Sequence, residues 1–169
     1  MSEKLKVAWS VPRSEDFDLR EFALGVLAIA KENLQRDGDL VPAAFAITEN
    51  EIQCYSVSFA DHYVKPDVYL KLVEVAKAQN ALALITCNDA FWSDKAEPDF
   101  AEGYYPGKLA AEKAKECIML TVSGPAIQTW SVEVPYERIG DAIEFGDVRE
   151  QSGGELDLLE GWASADHAQ

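Results

Sequence analysis

The chain holds only two histidines, His62 and His167, in 169 residues. The H-E-x-x-H motif is absent, and two histidines this far apart offer little support for a histidine metal centre. Cysteine is also sparse: Cys54, Cys87 and Cys117 lie about thirty residues apart with no C-x-x-C pair. An odd, scattered count excludes a disulfide framework, and each thiol reads first as a small buried hydrophobe. Bases are half as numerous as acids, 15 against 30, for a net charge of −15. Direct binding to nucleic-acid phosphates or to an anionic membrane is thereby disfavoured, since both associations are driven by positive charge. No apolar run approaches the roughly 20 residues of a membrane span. The N-terminal Met-Ser-Glu-Lys-Leu-Lys lacks the apolar core of a signal peptide, so a cytoplasmic location is expected. Phosphate-binding loops, dinucleotide fingerprints, calcium loops and the G-x-S-x-G elbow are all missing.

What is present is a chain of 48% apolar residues, enough for one domain with a substantial core. Its organising stretch is Ala81 to Cys87, an uncharged run of seven residues. The run is too short for an ordinary helix and fits a central strand covered on both faces. Before it, Leu5, Val7 and Trp9 alternate as an edge strand that Pro12 ends. Ser14 is placed as an N-cap, and Leu19, Phe22, Ala23, Val26, Ala30 and Leu34 give a well-buried helix closed at Gly38. Leu40 to Thr48 and Ile52 to Phe59 form a hairpin, with Ala43, Phe45 and Ile47 on its drier face. Pro66 opens a second helix, which Asn80 ends. After the central strand, Cys117 to Ser123 and Ile127 to Val134 make an antiparallel pair. Short strands are expected at Tyr136 to Ile139 and Ala142 to Phe145. The expectation is an α+β fold: a mostly antiparallel sheet of about five strands with two main helices packed on one face. Residues 1–150 form the single domain, and 151–169 an acidic C-terminal tail.

Three constellations could carry chemistry. Cys87, with Asn88, Asp89 and His62 nearby, has the residue types of a thiol nucleophile and its base. Acidic surroundings raise a thiol pKa, and a buried Cys87 beside a surface His62 is the plainer reading. Asp89, Asp94, Glu97 and Asp99 offer oxygen ligands to magnesium or calcium, although their spacing matches no ligand motif; neither a metal nor a cofactor is expected. Binding is the third. Residues 88–107 form a long connection in which Asp89, Asp94 and Asp99 mix with Phe91, Trp92, Tyr104 and Tyr105. Aromatic faces among carboxylates suit a basic protein surface through cation–π contact and charge attraction.

Two short motifs carry a resemblance. Asp37-Gly38-Asp39-Leu40-Val41-Pro42-Ala43-Ala44-Phe45 and the later Asp89-Ala90-Phe91-Trp92 resemble a group of uncharacterised bacterial and phage proteins. In that group D-G-x-L-x-P opens a hairpin and an acid-Ala-x-Trp segment follows an apolar strand. The resemblance implies the order of elements and carries over no catalytic residue. The functional expectation is a non-enzymatic protein-interaction module whose acidic, aromatic loop meets a protein partner or a second copy in a homodimer. Its alternatives are an enzyme centred on Cys87 or a carboxylate-bound metal, and a DNA mimic that inhibits a nucleic-acid-binding protein.

Overall fold

The computed structural model describes residues 5–57, 65–92 and 115–152. Eight strands and two helices follow one another as β1 (Leu5–Pro12), α1 (Leu19–Asp37), β2 (Ala43–Ile47), β3 (Glu51–Val57), α2 (Lys65–Ala78), β4 (Ala83–Trp92), β5 (Lys115–Gly124), β6 (Ile127–Ile139), β7 (Ala142–Phe145) and β8 (Arg149–Ser152). They form one sheet in the order β1-β3-β2-β4-β5-β6-β7, with β8 also on β6. Every neighbouring pair is antiparallel. The α+β class and the antiparallel sheet agree with the sequence; the sheet has eight strands rather than about five.

The second correction concerns the helices, which cover opposite faces. Ala23, Leu27, Ala30 and Leu34 of α1 pack on a cluster that includes Phe45, Cys54, Ile85, Cys87, Ile118 and Val134. Leu72, Val73 and Ala76 of α2 pack instead on Ala44, Ala46, Tyr55 and Leu84. These two sets alternate along β2 and β4, so they point to opposite sides of the pleat. Topology gives the reason. Because neighbours are antiparallel, β1 runs parallel to β2 and β3 runs parallel to β4, each pair separated by one strand. The crossovers β1-α1-β2 and β3-α2-β4 step the same way across the sheet but start from strands of opposite direction. Crossovers of the same hand then put their helices on opposite faces, and such crossovers are almost always right-handed.

Local chemistry fixes the ends of both helices. Asp18, not Ser14, caps α1: its carboxylate accepts from the Glu21 amide at 2.8 Å. Ser14 Oγ instead accepts from the Asp16 amide and shapes the turn before the helix. Gly38, at φ 80, closes α1 with its amide on the Leu34 carbonyl. Asn80, at φ 56, closes α2 while the Ala81 amide bonds the Ala76 carbonyl at 2.9 Å. Small side chains at Ala44, Ala46 and Ala76 let α2 sit close to the sheet. The Tyr55 hydroxyl, buried beneath it, donates to Gln53 and accepts from Gln79.

Strand β6 is longer than its apolar alternation indicates. Pro135 lies between the stretch that pairs with β8 (Trp130 to Glu133) and the stretch that pairs with β7 (Tyr136 to Ile139). A residue without an amide proton is tolerated at such a break, and its carbonyl still accepts from the Gly146 amide at 2.8 Å. Strand β8, unforeseen in the sequence, reaches from the domain into the first residues assigned to the tail. Its Arg-Glu-Gln-Ser stretch has no apolar alternation and is held by charge: Glu150 pairs with Arg20, and Arg149 pairs with Glu133 at 2.9 Å. Residues 153–169 of the expected tail lie outside the described residues.

Two glycines give opposite predictions. A Cβ at Gly124 would overlap the Leu82 carbonyl oxygen, whereas one at Gly25 meets nothing within 4 Å. Gly124→Ala should lower stability by about 1–3 kcal/mol, as overpacking does. Gly25→Ala, exposed in the middle of α1, should raise it by about 1 kcal/mol. Urea unfolding of both variants checks the pair.

Candidate functional site

Of the sequence-predicted site residues, Cys87, Asp89, Phe91 and Trp92 fall among the described residues, all on β4. Cys87 lies in the interior of β4, five residues before its end, and is 2% exposed. Burial pushes its thiol up to about 12, so the group is protonated at neutral pH. Loss of hydration, rather than the acidic neighbours expected from sequence, is the cause. That environment disfavours the thiolate a nucleophile needs. His62 lies outside the described residues, as do Asp94, Glu97, Asp99, Phe100, Tyr104 and Tyr105. Asp89, Phe91 and Trp92, expected in a loop, belong to β4, where they pair with Ile118, Glu116 and Lys115. The strand continues because β5 supplies a partner for each of those backbones.

Asp89 is half-buried on the α1 face, within electrostatic reach of Tyr136. Around it stands a clasp between sheet and helix. Arg138 grips Glu116 through Nε at 2.9 Å and Nη2 at 3.3 Å, and donates through Nη1 to the Gly38 carbonyl at 2.7 Å. The Tyr136 hydroxyl donates to Glu116 Oε1 at 3.2 Å. A cation bound to the carbonyls at the C-terminus of α1 suits the helix dipole. Burial, then Asp89 and Glu116, hold the Tyr136 hydroxyl far above its ordinary pKa. Each of these groups is satisfied by another, so the cluster ties α1 to β5 and β6 and leaves nothing aimed at a ligand. Among the described residues no three His, Cys, Asp or Glu side chains are placed to hold a metal ion.

Among the described residues, a groove of about 700 Å³ runs along one side of α1. Its helix wall is Phe22, Gly25, Val26, Ile29 and Asn33, a stripe next to the buried one. From Asp18 to Asn33 the lining spans fifteen residue steps, roughly 22 Å at the helical rise. The floor is the α1 face of the sheet, with Ala43, Phe45, Cys54 and Cys87, and Trp9 of the edge strand stands at the far side. The groove exists because α1 lies over β4, β5 and β7, toward one end of the sheet. Ile29 accordingly remains 57% exposed and Leu24 37%, so α1 is not the well-buried helix its apolar breadth predicted.

Four aromatic rings cross this region in a chain. Phe17 meets Phe22 at 5.6 Å, Phe22 meets Phe45 edge-on at 5.5 Å, and Phe45 meets Trp9 at 5.9 Å. Trp9 reaches that face through a β-bulge: the register shifts between Val7, opposite Tyr55, and Trp9, opposite Cys54. Strict alternation would have put Val7 and Trp9 on one face, and the bulge separates them. Sequence reasoning looked for an aromatic site at 91–105 and missed this one, whose members are spread over β1, the turn before α1, α1 itself and β2. Phe22 and Phe45 were visible as apolar positions; their meeting was not. Asp16, Asp18 and Glu21 line the mouth by the N-terminus of α1, and no Lys, Arg or His lines the groove among the described residues.

Burial of Cys87 has a measurable consequence. The folded state keeps the thiol protonated, while the unfolded chain releases the proton near 9.0. Stability is therefore full below that pH and falls as pH rises toward 12, by up to about 1.4 kcal/mol per pH unit for the one group. Tyr136 and Cys54, both shifted upward, act with the same sign. Urea unfolding from pH 8 upward should show this alkaline loss, with a shallower slope in Cys87→Ala. Equal slopes in the two proteins would contradict it.

No protein-family model, curated protein or solved structure matches the chain.

Proposed function

We propose that this protein is a non-enzymatic interaction module that binds a segment of another protein along the groove beside α1. The observation that carries the reading is an open apolar channel, crossed by aromatic rings and acidic at one mouth. Catalytic pockets bring several polar groups to bear on one reacting atom. Here the carboxylates stand at one end, and the remaining described lining is almost wholly apolar, which is how an interface core is composed. This reading puts the binding surface at the side of α1; most of the 88–107 segment expected to bind lies outside the described residues. Three free, buried cysteines suit a reducing compartment and hence the cytoplasm. Among the described residues no helix is long and apolar enough to cross a membrane.

The test is capture of partners from a lysate of the source cell by wild type, Ile29→Glu and Leu70→Glu. Ile29 is in the groove; Leu70, on α2 across the sheet, is equally exposed at 57% and serves as the matched control. A partner kept by wild type and Leu70→Glu but lost by Ile29→Glu is the expected result. A partner held equally by all three would contradict the groove as interface.

A further inference from the structure

The groove also specifies the chemistry of what fills it, and this inference rests on the interaction reading above. We infer that its occupant is a basic amphipathic segment from a different protein, lying along α1 with a cationic end against Asp16, Asp18 and Glu21. Length is the first ground. A wall of roughly 22 Å from Asp18 to Asn33, apolar over the roughly 12 Å between Phe22 and Ala30, is long and narrow, which suits an amphipathic helix laid in a groove better than a compact small molecule. Its apolar face would meet Val26, Ile29 and the Phe45 floor, the part of the groove that offers only hydrophobic contact.

Charge decides among occupants. Three carboxylates line the mouth and no Lys, Arg or His lines the groove among the described residues; Arg13, over the Phe17 ring at 5.6 Å, and Arg20, held by Glu150 and within electrostatic reach of Asp18, flank it, and the chain as a whole carries −15. A second copy of the protein would bring the same sign of charge to that mouth. The chain's own residues 153–169 contain Glu155, Asp157, Glu160 and Asp166 and no Lys or Arg, so they too would be repelled. Attraction at the mouth and a dry interior together select a partner that is both basic and apolar. The adjoining edge strand β1 is a poorer docking element, because its bulge twists the edge away from continued pairing.

The experiment uses the full chain and three fluorescent two-heptad peptides at physiological salt: a leucine–lysine amphipath, a leucine–glutamate amphipath and a lysine–serine peptide. Anisotropy should show binding of the leucine–lysine peptide alone. Ile29→Glu should weaken it by roughly tenfold, about 1.4 kcal/mol, even though the variant makes the protein more negative; nonspecific charge attraction predicts the reverse. Asp16→Lys together with Glu21→Lys should weaken it severalfold. Affinity for wild type should fall as salt rises, a measurement that needs no variant. Binding of both leucine peptides, lost in Ile29→Glu, would leave the groove as an interface and overturn the inference about charge. Leucine–lysine binding unchanged by Ile29→Glu, or equalled by the lysine–serine peptide, would overturn both.

Discussion

Strand β4 has no face that water reaches over Ala83 to Cys87, and the rest of the fold follows from meeting that condition. Leu84 points to one side and Ala83, Ile85 and Cys87 to the other, all buried. A strand dry on both sides needs two covering layers. The two crossovers supply them: each carries its helix over a parallel strand two places along, from starting strands of opposite direction. α2 closes on a patch of alanines, and α1 lays a stripe of Ala23, Leu27, Ala30 and Leu34 on the other side. The chain thus builds a helix–sheet–helix arrangement from an entirely antiparallel sheet.

The two described helices are too narrow to cover the eight described strands. On the α1 side, the helix takes the half nearer β7 and leaves the half nearer β1 with an aromatic floor. The clasp of Arg138 with Glu116 and the Gly38 carbonyl fixes that position at one end of α1, and the Arg20 pair with Glu150 fixes it at the other. Arg20 also lies over the Trp130 ring at 5.3 Å. The groove follows from where the buried stripe of Ala23, Leu27, Ala30 and Leu34 seats the helix, with these exposed ion pairs at its two ends. Covering it with a basic, apolar partner would complete the second layer.

Much of this order was legible in the residues. The uncharged run before Cys87, the glycine after α1, the proline entering α2 and the Phe45/Ile47 alternation each carry a local signal strong enough to survive in the fold. Sidedness was not legible, because helical periodicity says that a face is buried and not which side of a sheet it meets; only the strand order with the handedness rule decides that. Asp89 to Trp92 looked like loop because mixed charge and aromatics weaken a strand pattern, yet β5 pairs with every one of those backbones. The Trp9 side chain changed face through a bulge that its flanking Val7 and Val11 do not announce. The aromatic chain from Phe17 to Trp9 is long-range in sequence, which is why single-sequence reading favoured the local cluster after Cys87 instead. Of the residues expected to bind, Asp94, Asp99, Tyr104 and Tyr105 fall outside the described residues, and Asp89 serves beside Tyr136.

The most direct measurement of an open apolar floor beside α1 is Nile red fluorescence with the native protein. The dye is uncharged, so neither the acidic mouth nor the overall −15 attracts or repels it. An accessible groove predicts that wild type brightens and shifts the dye to the blue, that Ile29→Glu removes the effect, and that Leu70→Glu retains it. No brightening with folded wild type, or equal brightening with all three proteins, would mean that α1 leaves no such surface.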